Sequence, residues 1–153
     1  MQKTEKEFFI TLLDISYLPQ LIALYKSLVR FQKNFELIVL CLDNQLFEFL
    51  NKENYENISL LKLEEFETNE LKVKRKRRKK MEYCWTLTPW TIQWGLQVFN
   101  EAKRITYLDA DLFFFKDPKV IFKEFDFSNK QVLITKHAYA PDYDQSLTSG
   151  VAI

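Results

Sequence analysis

The chain has 153 residues, of which 47% are hydrophobic and 16% aromatic, so it can bury one sizeable core and is not a wholly disordered protein. Its formal net charge of +1 is an average over unequal parts, because eight of the nine residues from 72 to 80 are basic. The remaining 14 basic residues are outnumbered by 21 acidic ones, so the sequence predicts an acidic domain that carries one basic segment.

The first 63 residues alternate between apolar runs of strand length and helical periodicity. The predicted strands are residues 8–13, 35–42 and 58–63. Pro19 is placed for the first turn of a helix that ends near Phe31, and a shorter helix is predicted around residues 46–50. Continuous apolar strands separated by helices indicate a mostly parallel sheet flanked by helices, which is an α/β fold.

The second half continues the alternation after a strongly charged segment. Residues 67–82 are predicted to be a charged linker or the start of a helix. An amphipathic helix is expected over 81–99, with Thr88 as its cap and Pro89 beginning or kinking its main part. The later predicted elements are a strand at 105–108, a helix from Asp117-Pro118 to Phe125, and a strand at 131–137. We expect one domain over residues 1–153.

Two acids follow the strand at 105–108. Asp109 and Asp111 are two apart, so in an extended chain their side chains point to the same face and repel each other. A divalent metal would relieve that repulsion, and carboxylates with substrate phosphates suit Mg²⁺ or Mn²⁺. Aspartates also end strands and cap helices for purely structural reasons, and the pair alone leaves that interpretation open.

Polar residues also follow two earlier predicted strands. Asp14, with Ser16 and Tyr17, comes after the first strand, and Asp43-Asn44 come after the second. Open α/β sheets bind ligands at the carboxyl ends of their strands, near the switch in strand order. If the strands are parallel, these groups and the two later acids meet at one edge, which predicts a nucleotide-type site.

Several segments resemble GT-A glycosyltransferases. Residues 107–112, Tyr-Leu-Asp-Ala-Asp-Leu, followed by Asp117-Pro118, resemble the DxD segment of these enzymes. The opening of the chain, with Asp14 and Ser16-Tyr17-Leu18-Pro19, resembles the first strand and helix of the family 8 type. Residues 82–89 and 137–143 resemble segments of a bacterial group of nucleotide-diphospho-sugar transferases.

The resemblance implies a Rossmann-like GT-A fold and transfer of a sugar from a nucleotide-diphosphate donor, a UDP-sugar first of all, to a glycan or lipid-linked acceptor. It also implies that Asp109 and Asp111 hold Mn²⁺ or Mg²⁺, with Asp109 near the ribose or sugar as well. Asp14, Ser16 and Tyr17 match positions that meet the nucleotide. Within the basic run, Lys80, Lys79 and Arg78 are the candidates nearest the donor, and Lys80 is the one that we include in the site.

GT-A folds usually continue well past the DxD segment, so we expect this chain to be the donor half, truncated on its C-terminal side. It would then be an active transferase when complete, or a catalytically inactive fragment that binds nucleotide sugars. A phosphatase of the haloacid-dehalogenase type is the alternative from another class, because it also uses two acids after a strand.

The basic segment Lys72–Lys80 has three interpretations: a solvated helix or loop, a surface for the donor or for anionic lipid, and a nucleic-acid site. No zinc-ligand spacing or reader motif supports nucleic-acid binding, so we expect none. We expect a cytoplasmic protein with peripheral membrane contact through this segment. Cys41 and Cys84 are interpreted as reduced thiols, and Trp90 and Trp94 as core residues of one helix.

Overall fold

The computed structural model describes residues 6–128, which fall into two compact units that meet at Asp117 and Pro118. The first unit contains a sheet of four parallel strands in the order β3-β2-β1-β4. Its strands are β1 (Glu7–Leu13), β2 (Phe35–Cys41), β3 (Ile58–Lys62) and β4 (Ile105–Tyr107). The prediction of an α/β fold with a mostly parallel sheet is confirmed.

Helices connect the strands. They are α1 (Leu18–Phe31), α2 (Asn44–Glu53), α3 (Leu63–Phe66), α4 (Asn69–Arg77) and α5 (Lys80–Val98). The described part of the second unit contains α6 (Lys119–Ser128). Within residues 6–128, no helix combines the length and hydropathy needed to cross a membrane. The strand predicted at 131–137 and the family-like segment 137–143 lie outside the described residues.

The two central strands are buried on both faces of the sheet. Phe8, Ile10 and Ile38 contribute to a core that also contains side chains of α5, and Leu12 extends it toward α3 and α4. The opposite face contains Phe9, whose ring centroid lies 6.3 Å from that of Phe35. This two-sided burial explains why the strands are continuous apolar runs without polar alternation.

Asp43 fixes the chain at the carboxyl ends of β1 and β2. Its carboxylate accepts a hydrogen bond from the Leu46 amide at 2.8 Å, which caps α2, and another from the Ile15 amide at 2.9 Å. Both carboxylate oxygens therefore serve backbone groups that would otherwise be unpaired at a helix start and a turn. Asp43 stabilises the loop that carries Asp14.

Replacing Asp43 with alanine should lower the free energy of unfolding by about 1–2 kcal/mol, because a helix cap is lost together with a second amide partner. Urea denaturation measures this change. Asp43→Asn separates the two contributions, since asparagine caps helices about as well as aspartate but has only one side-chain oxygen to accept a hydrogen bond, so its loss should be the smaller one. Equal stability of Asp43→Ala and wild type would contradict the assigned role.

Helix α5 begins at Lys80 and runs unbroken through Pro89. The prediction that Pro89 begins the main part of this helix is therefore wrong. Thr88 is not a cap: its hydroxyl donates to the Cys84 carbonyl within the helix at 3.2 Å. Proline removes the hydrogen bond that an amide at this position would have donated to the Trp85 carbonyl, and its ring crowds that carbonyl. The apolar contacts of α5 with the sheet outweigh that loss.

Candidate functional site

The candidate site lies at the point where the strand order reverses. β1 pairs with β2 on one side and with β4 on the other, so the chain leaves β1 toward one edge and later returns on the opposite side. In open parallel sheets, this switch point opens a crevice at the carboxyl ends of the two strands. The residues that follow β1 and β4 therefore face one another across a common space.

A cleft of about 470 Å³ occupies this position. Three segments and Leu42, the residue after β2, line it. The segments are the end of β1 with its following turn, the end of β4 with its following turn, and the first half of α5. Six of the residues that the sequence proposed for the site are among those that line it: Asp14, Ser16, Tyr17, Lys80, Asp109 and Asp111. Asp43 and Asn44 are not among the lining residues.

Asp14 is the most firmly held of these residues. One carboxylate oxygen accepts hydrogen bonds from the Ser16 amide, at 2.9 Å, and from the Ser16 hydroxyl, while the other accepts from the Lys80 ammonium. Burial by itself would raise the pKa of Asp14, but the hydrogen bonds from Lys80 and Ser16 outweigh it and hold that pKa below its ordinary value. The carboxylate is therefore charged at neutral pH.

Lys80 reaches this carboxylate from the first residue of α5, across 66 positions of sequence. Its side chain is 74% exposed, whereas that of Asp14 is 11% exposed. The hydrogen bond to Asp14 raises the pKa of the Lys80 ammonium, so the cation is permanent. Because the ammonium carries further donor hydrogens into the cleft, it can contact an anionic ligand without leaving Asp14.

Replacing Lys80 with methionine should raise the pKa of Asp14 above its wild-type position, because burial then acts with less opposition. A depressed carboxyl pKa contributes stability above the pKa of the unfolded state, and that stability is lost as the pH falls through the folded-state pKa. In the variant, the loss should begin at a higher pH. The carboxyl ¹³C resonance of Asp14 and urea midpoints across acidic pH measure both effects.

Lys79→Met is the matched control, because Lys79 is the exposed neighbour of Lys80 and makes no contact with Asp14. It should leave the titration of Asp14 unchanged. An unchanged titration in Lys80→Met as well would contradict the ion pair.

The two acids after β4 lie in a turn, not in an extended strand as predicted, because β4 ends at Tyr107. The turn is closed by the Leu112 amide, which donates to the Asp109 carbonyl at 3.1 Å. Asp109 and Asp111 are nevertheless both exposed, while Leu108 and Ala110 are buried. The alternation is maintained, and both carboxylates line the cleft.

The donor set fits a hard divalent cation that is shared with a phosphate ligand. Mg²⁺ in such sites commonly takes one or two carboxylates and completes its shell with phosphate oxygens and water. Asp109 and Asp111 supply two carboxylates, and residues 6–128 contain no group of three or more acidic, histidine or cysteine side chains that could hold a metal by themselves. A metal here would therefore depend on its ligand as much as on the protein.

Tyr107 and Thr88 were not proposed from the sequence, yet both line the cleft beside Asp109. Burial raises the pKa of Tyr107 to about 12, and the charge of Asp109 and a hydrogen bond to it also raise it, against a hydrogen bond with Thr88. The phenol therefore stays protonated and donates to an acid of the site. Tyr107 could have been proposed from the sequence, because it is the last residue of β4 and lies two residues before Asp109.

The three tryptophans of α5 have different environments. Trp90 and Trp94 pack partly buried against the core, as predicted, but Trp85 is 67% exposed and lines the cleft together with Met81. Residues 81 and 85 are one helical turn apart and share a face of α5. This face is free for a ligand because the core is filled from the opposite side of the helix.

The segment after the two acids is fixed to α1. The Phe114 amide donates to the Ser27 hydroxyl at 3.0 Å, and the Gln32 side-chain amide donates to Asp117 at 2.5 Å. The Phe114 ring also lies 6.5 Å from that of Phe9, centroid to centroid. These contacts hold the segment on the C-terminal side of the turn that carries the acids.

The comparison with protein families agrees with this arrangement. The sequence profile of glycosyl transferase family 8 matches residues 9–149, which include every residue of the cleft. The chain belongs to glycosyl transferase family 8. Membership of this family makes glycosyl transfer the supported class of function, and it leaves the haloacid-dehalogenase alternative without support.

Two relatives come from Bacillus subtilis (strain 168), and both are named as uncharacterized proteins. The family 8 chain is 37% identical to YfnF over 116 residues, which cover 75% of this chain and 38% of YfnF. It is 31% identical to YfnD over 135 residues, which cover 88% of this chain and 43% of YfnD. The matched region spans about two-fifths of the length of each relative.

Proposed function

We propose that the cleft binds a nucleotide-diphosphate sugar together with Mn²⁺ or Mg²⁺, and that the protein transfers the sugar to a glycan or lipid-linked acceptor. One observation carries the proposal: Asp14, Tyr17 and Lys80 meet Asp109 and Asp111 in one cleft at the strand switch point of a family 8 chain. These are the groups that a base, a ribose, a diphosphate and a metal require.

The charge and exposure of the side chains in the cleft indicate which part of the donor each would contact. Asp109 and Asp111 would hold the metal, which as a Lewis acid supplies neutralisation of the charge on the leaving diphosphate. Tyr107 orients Asp109 through its hydroxyl. Lys80 adds a permanent positive charge on the opposite wall of the cleft, where a diphosphate would otherwise face Asp14.

Tyr17 and Ser16 are placed for the nucleoside. The Tyr17 side chain is half-exposed at the end of the turn after β1, so its ring is available for stacking on a base. The Ser16 hydroxyl donates a hydrogen bond to Asp14. This bond would hold both polar groups in position for a ribose. UDP is the first nucleotide to test.

Thermal unfolding of the wild-type protein tests the proposal. UDP with Mn²⁺ at about a hundred times its dissociation constant should stabilise the fold by about 2.7 kcal/mol, and UDP or Mn²⁺ alone should do much less. Other nucleoside diphosphates serve to define the base. Failure of every nucleoside diphosphate to produce a metal-dependent rise in melting temperature would contradict the proposed donor site.

A further inference from the structure

The basic segment divides into two sets of cations on α4 and its C-terminal end. On the inner side, Leu71 is fully buried in the core, Lys74 pairs with Glu70 at 2.7 Å, and Arg75 pairs with Glu67 at 3.2 Å. Lys74 also lies over the Trp90 ring, 5.6 Å from its centroid. These inner cations are structural, because they tie α4 to the rest of the first unit.

Glu67 explains why the inner cations are needed. Its side chain is only 3% exposed, and it accepts hydrogen bonds from the Tyr83 hydroxyl at 2.6 Å and from Arg75. A buried carboxylate requires such partners. Arg78 continues the inner set by donating to the Thr86 hydroxyl on α5. Part of the basic character of the segment is thereby accounted for within the fold.

The outer face of α4 has no such explanation. Lys72, Val73, Lys76 and Arg77 are all exposed, and positions 72 and 76, like 73 and 77, are one turn apart. Across residues 6–128, the side chains of Lys72, Lys76 and Arg77 have no ion-pair partner. Three like charges held within two turns repel one another.

We propose that this outer face docks the protein on an anionic lipid surface. Clusters of lysine and arginine are attracted to such surfaces by roughly 1 kcal/mol for each residue near the headgroups. The rest of the sequence carries a net charge of −7 once the basic segment is set aside, so this is the face that an anionic surface attracts. Val73, 49% exposed among the cations, adds an apolar side chain that a lipid interface accommodates.

The position of the face relates docking to the cleft. Arg77 is the last residue of α4, and Lys80, which begins α5, already reaches into the cleft. A protein docked through α4 would hold its cleft beside the lipid surface. Resting on the proposed function, this favours a lipid-linked acceptor over a soluble glycan.

Co-sedimentation with vesicles tests the docking face. The wild-type protein should bind vesicles of phosphatidylcholine with phosphatidylglycerol, should not bind phosphatidylcholine alone, and should be released by salt. A Lys72→Gln, Lys76→Gln, Arg77→Gln variant should bind on the order of a hundredfold more weakly, at about fivefold for each cation. Circular dichroism melting should remain close to that of wild type, because these side chains form no ion pair in the part of the chain that the structure describes.

The matched control is Lys26→Gln, Lys33→Gln, Lys52→Gln, which removes the same charge from exposed positions elsewhere in the first unit. It should retain vesicle binding, and so should Asp111→Asn, which separates docking from the donor site. Equal weakening by both triple variants would overturn the proposal. So would tighter binding to duplex DNA than to anionic vesicles at the same salt, since the face would then be a nucleic-acid site.

Discussion

Replacing Asp111 with asparagine should remove most of the metal-dependent part of nucleoside-diphosphate binding. The change keeps the size of the side chain and removes one of the two carboxylates that face the cleft. Loss of partners that only orient metal ligands weakens binding roughly 10–100-fold, and loss of a ligand should weaken it at least as much. Calorimetric titration of UDP in the presence and absence of Mn²⁺ measures the difference directly.

The physical reason is that residues 6–128 provide no further protein ligand that could replace Asp111 on the metal. Asp109 and Asp111 are the two acids that face the cleft from the β4 turn, and Asp14 is already hydrogen-bonded to Lys80 and Ser16. The folded structure should survive the substitution, because Asp111 is exposed. Binding and stability are therefore expected to separate in this variant.

Glu65→Gln is the control for this experiment, because it also removes one exposed carboxylate but lies on α3, outside the cleft. It should bind UDP and Mn²⁺ as the wild type does. If Asp111→Asn kept full Mn²⁺-dependent affinity, the metal would have to lie elsewhere.

Replacing Phe9 with alanine should cause the largest loss of stability, about 3–5 kcal/mol, because it opens a cavity at a fully buried site in the central strand. The side chain contacts the rings of Phe35 and Phe114. The total free energy of unfolding of such domains is about 5–15 kcal/mol, so the loss is a large fraction of it. Urea denaturation at neutral pH measures the change.

This substitution should also affect the site, since the Phe114 ring that contacts Phe9 belongs to the segment after the two acids. Phe9→Leu fills most of the same volume and should be milder, with a loss of a few kcal/mol at most. Phe127→Ala, at a fully exposed position of α6, should be near neutral. Comparable losses for Phe9→Ala and Phe127→Ala would contradict the core assignment.

The parallel sheet could be predicted because its strands are short apolar runs bounded by polar residues. The run from Phe8 to Leu13 differs from the observed β1 by one residue, and that from Phe35 to Leu42 differs from β2 by one residue. The meeting of Asp14 with Asp109 and Asp111 followed from the parallel arrangement alone, because equivalent strand ends share an edge.

Other features depend on tertiary contacts that a linear pattern does not contain. Pro89 favours a helix start, yet packing of α5 on the sheet carries the helix through it. Asp43 has the same local signature as Asp14, but its two oxygens are taken by backbone amides. The exposure of Trp85 beside the buried face of the same helix likewise depends on which side of α5 meets the core.

The basic segment shows the same limit. Its composition predicts a charged helix or linker, but only the fold separates Arg75, which neutralises a buried glutamate, from Lys76 and Arg77, which have no ion-pair partner within residues 6–128. A sequence count does not separate the cations of this segment. In the structure, Lys80 lies in the cleft, apart from both sets on α4.

A crystal structure with UDP and Mn²⁺ bound, with the metal located by its anomalous signal, tests the central claim most directly. We expect one metal peak in contact with the carboxylate of Asp109, of Asp111 or of both, with the diphosphate on the metal and the base beside Tyr17. A metal peak away from these acids, or a nucleotide bound outside the cleft between β1, β4 and α5, would contradict it.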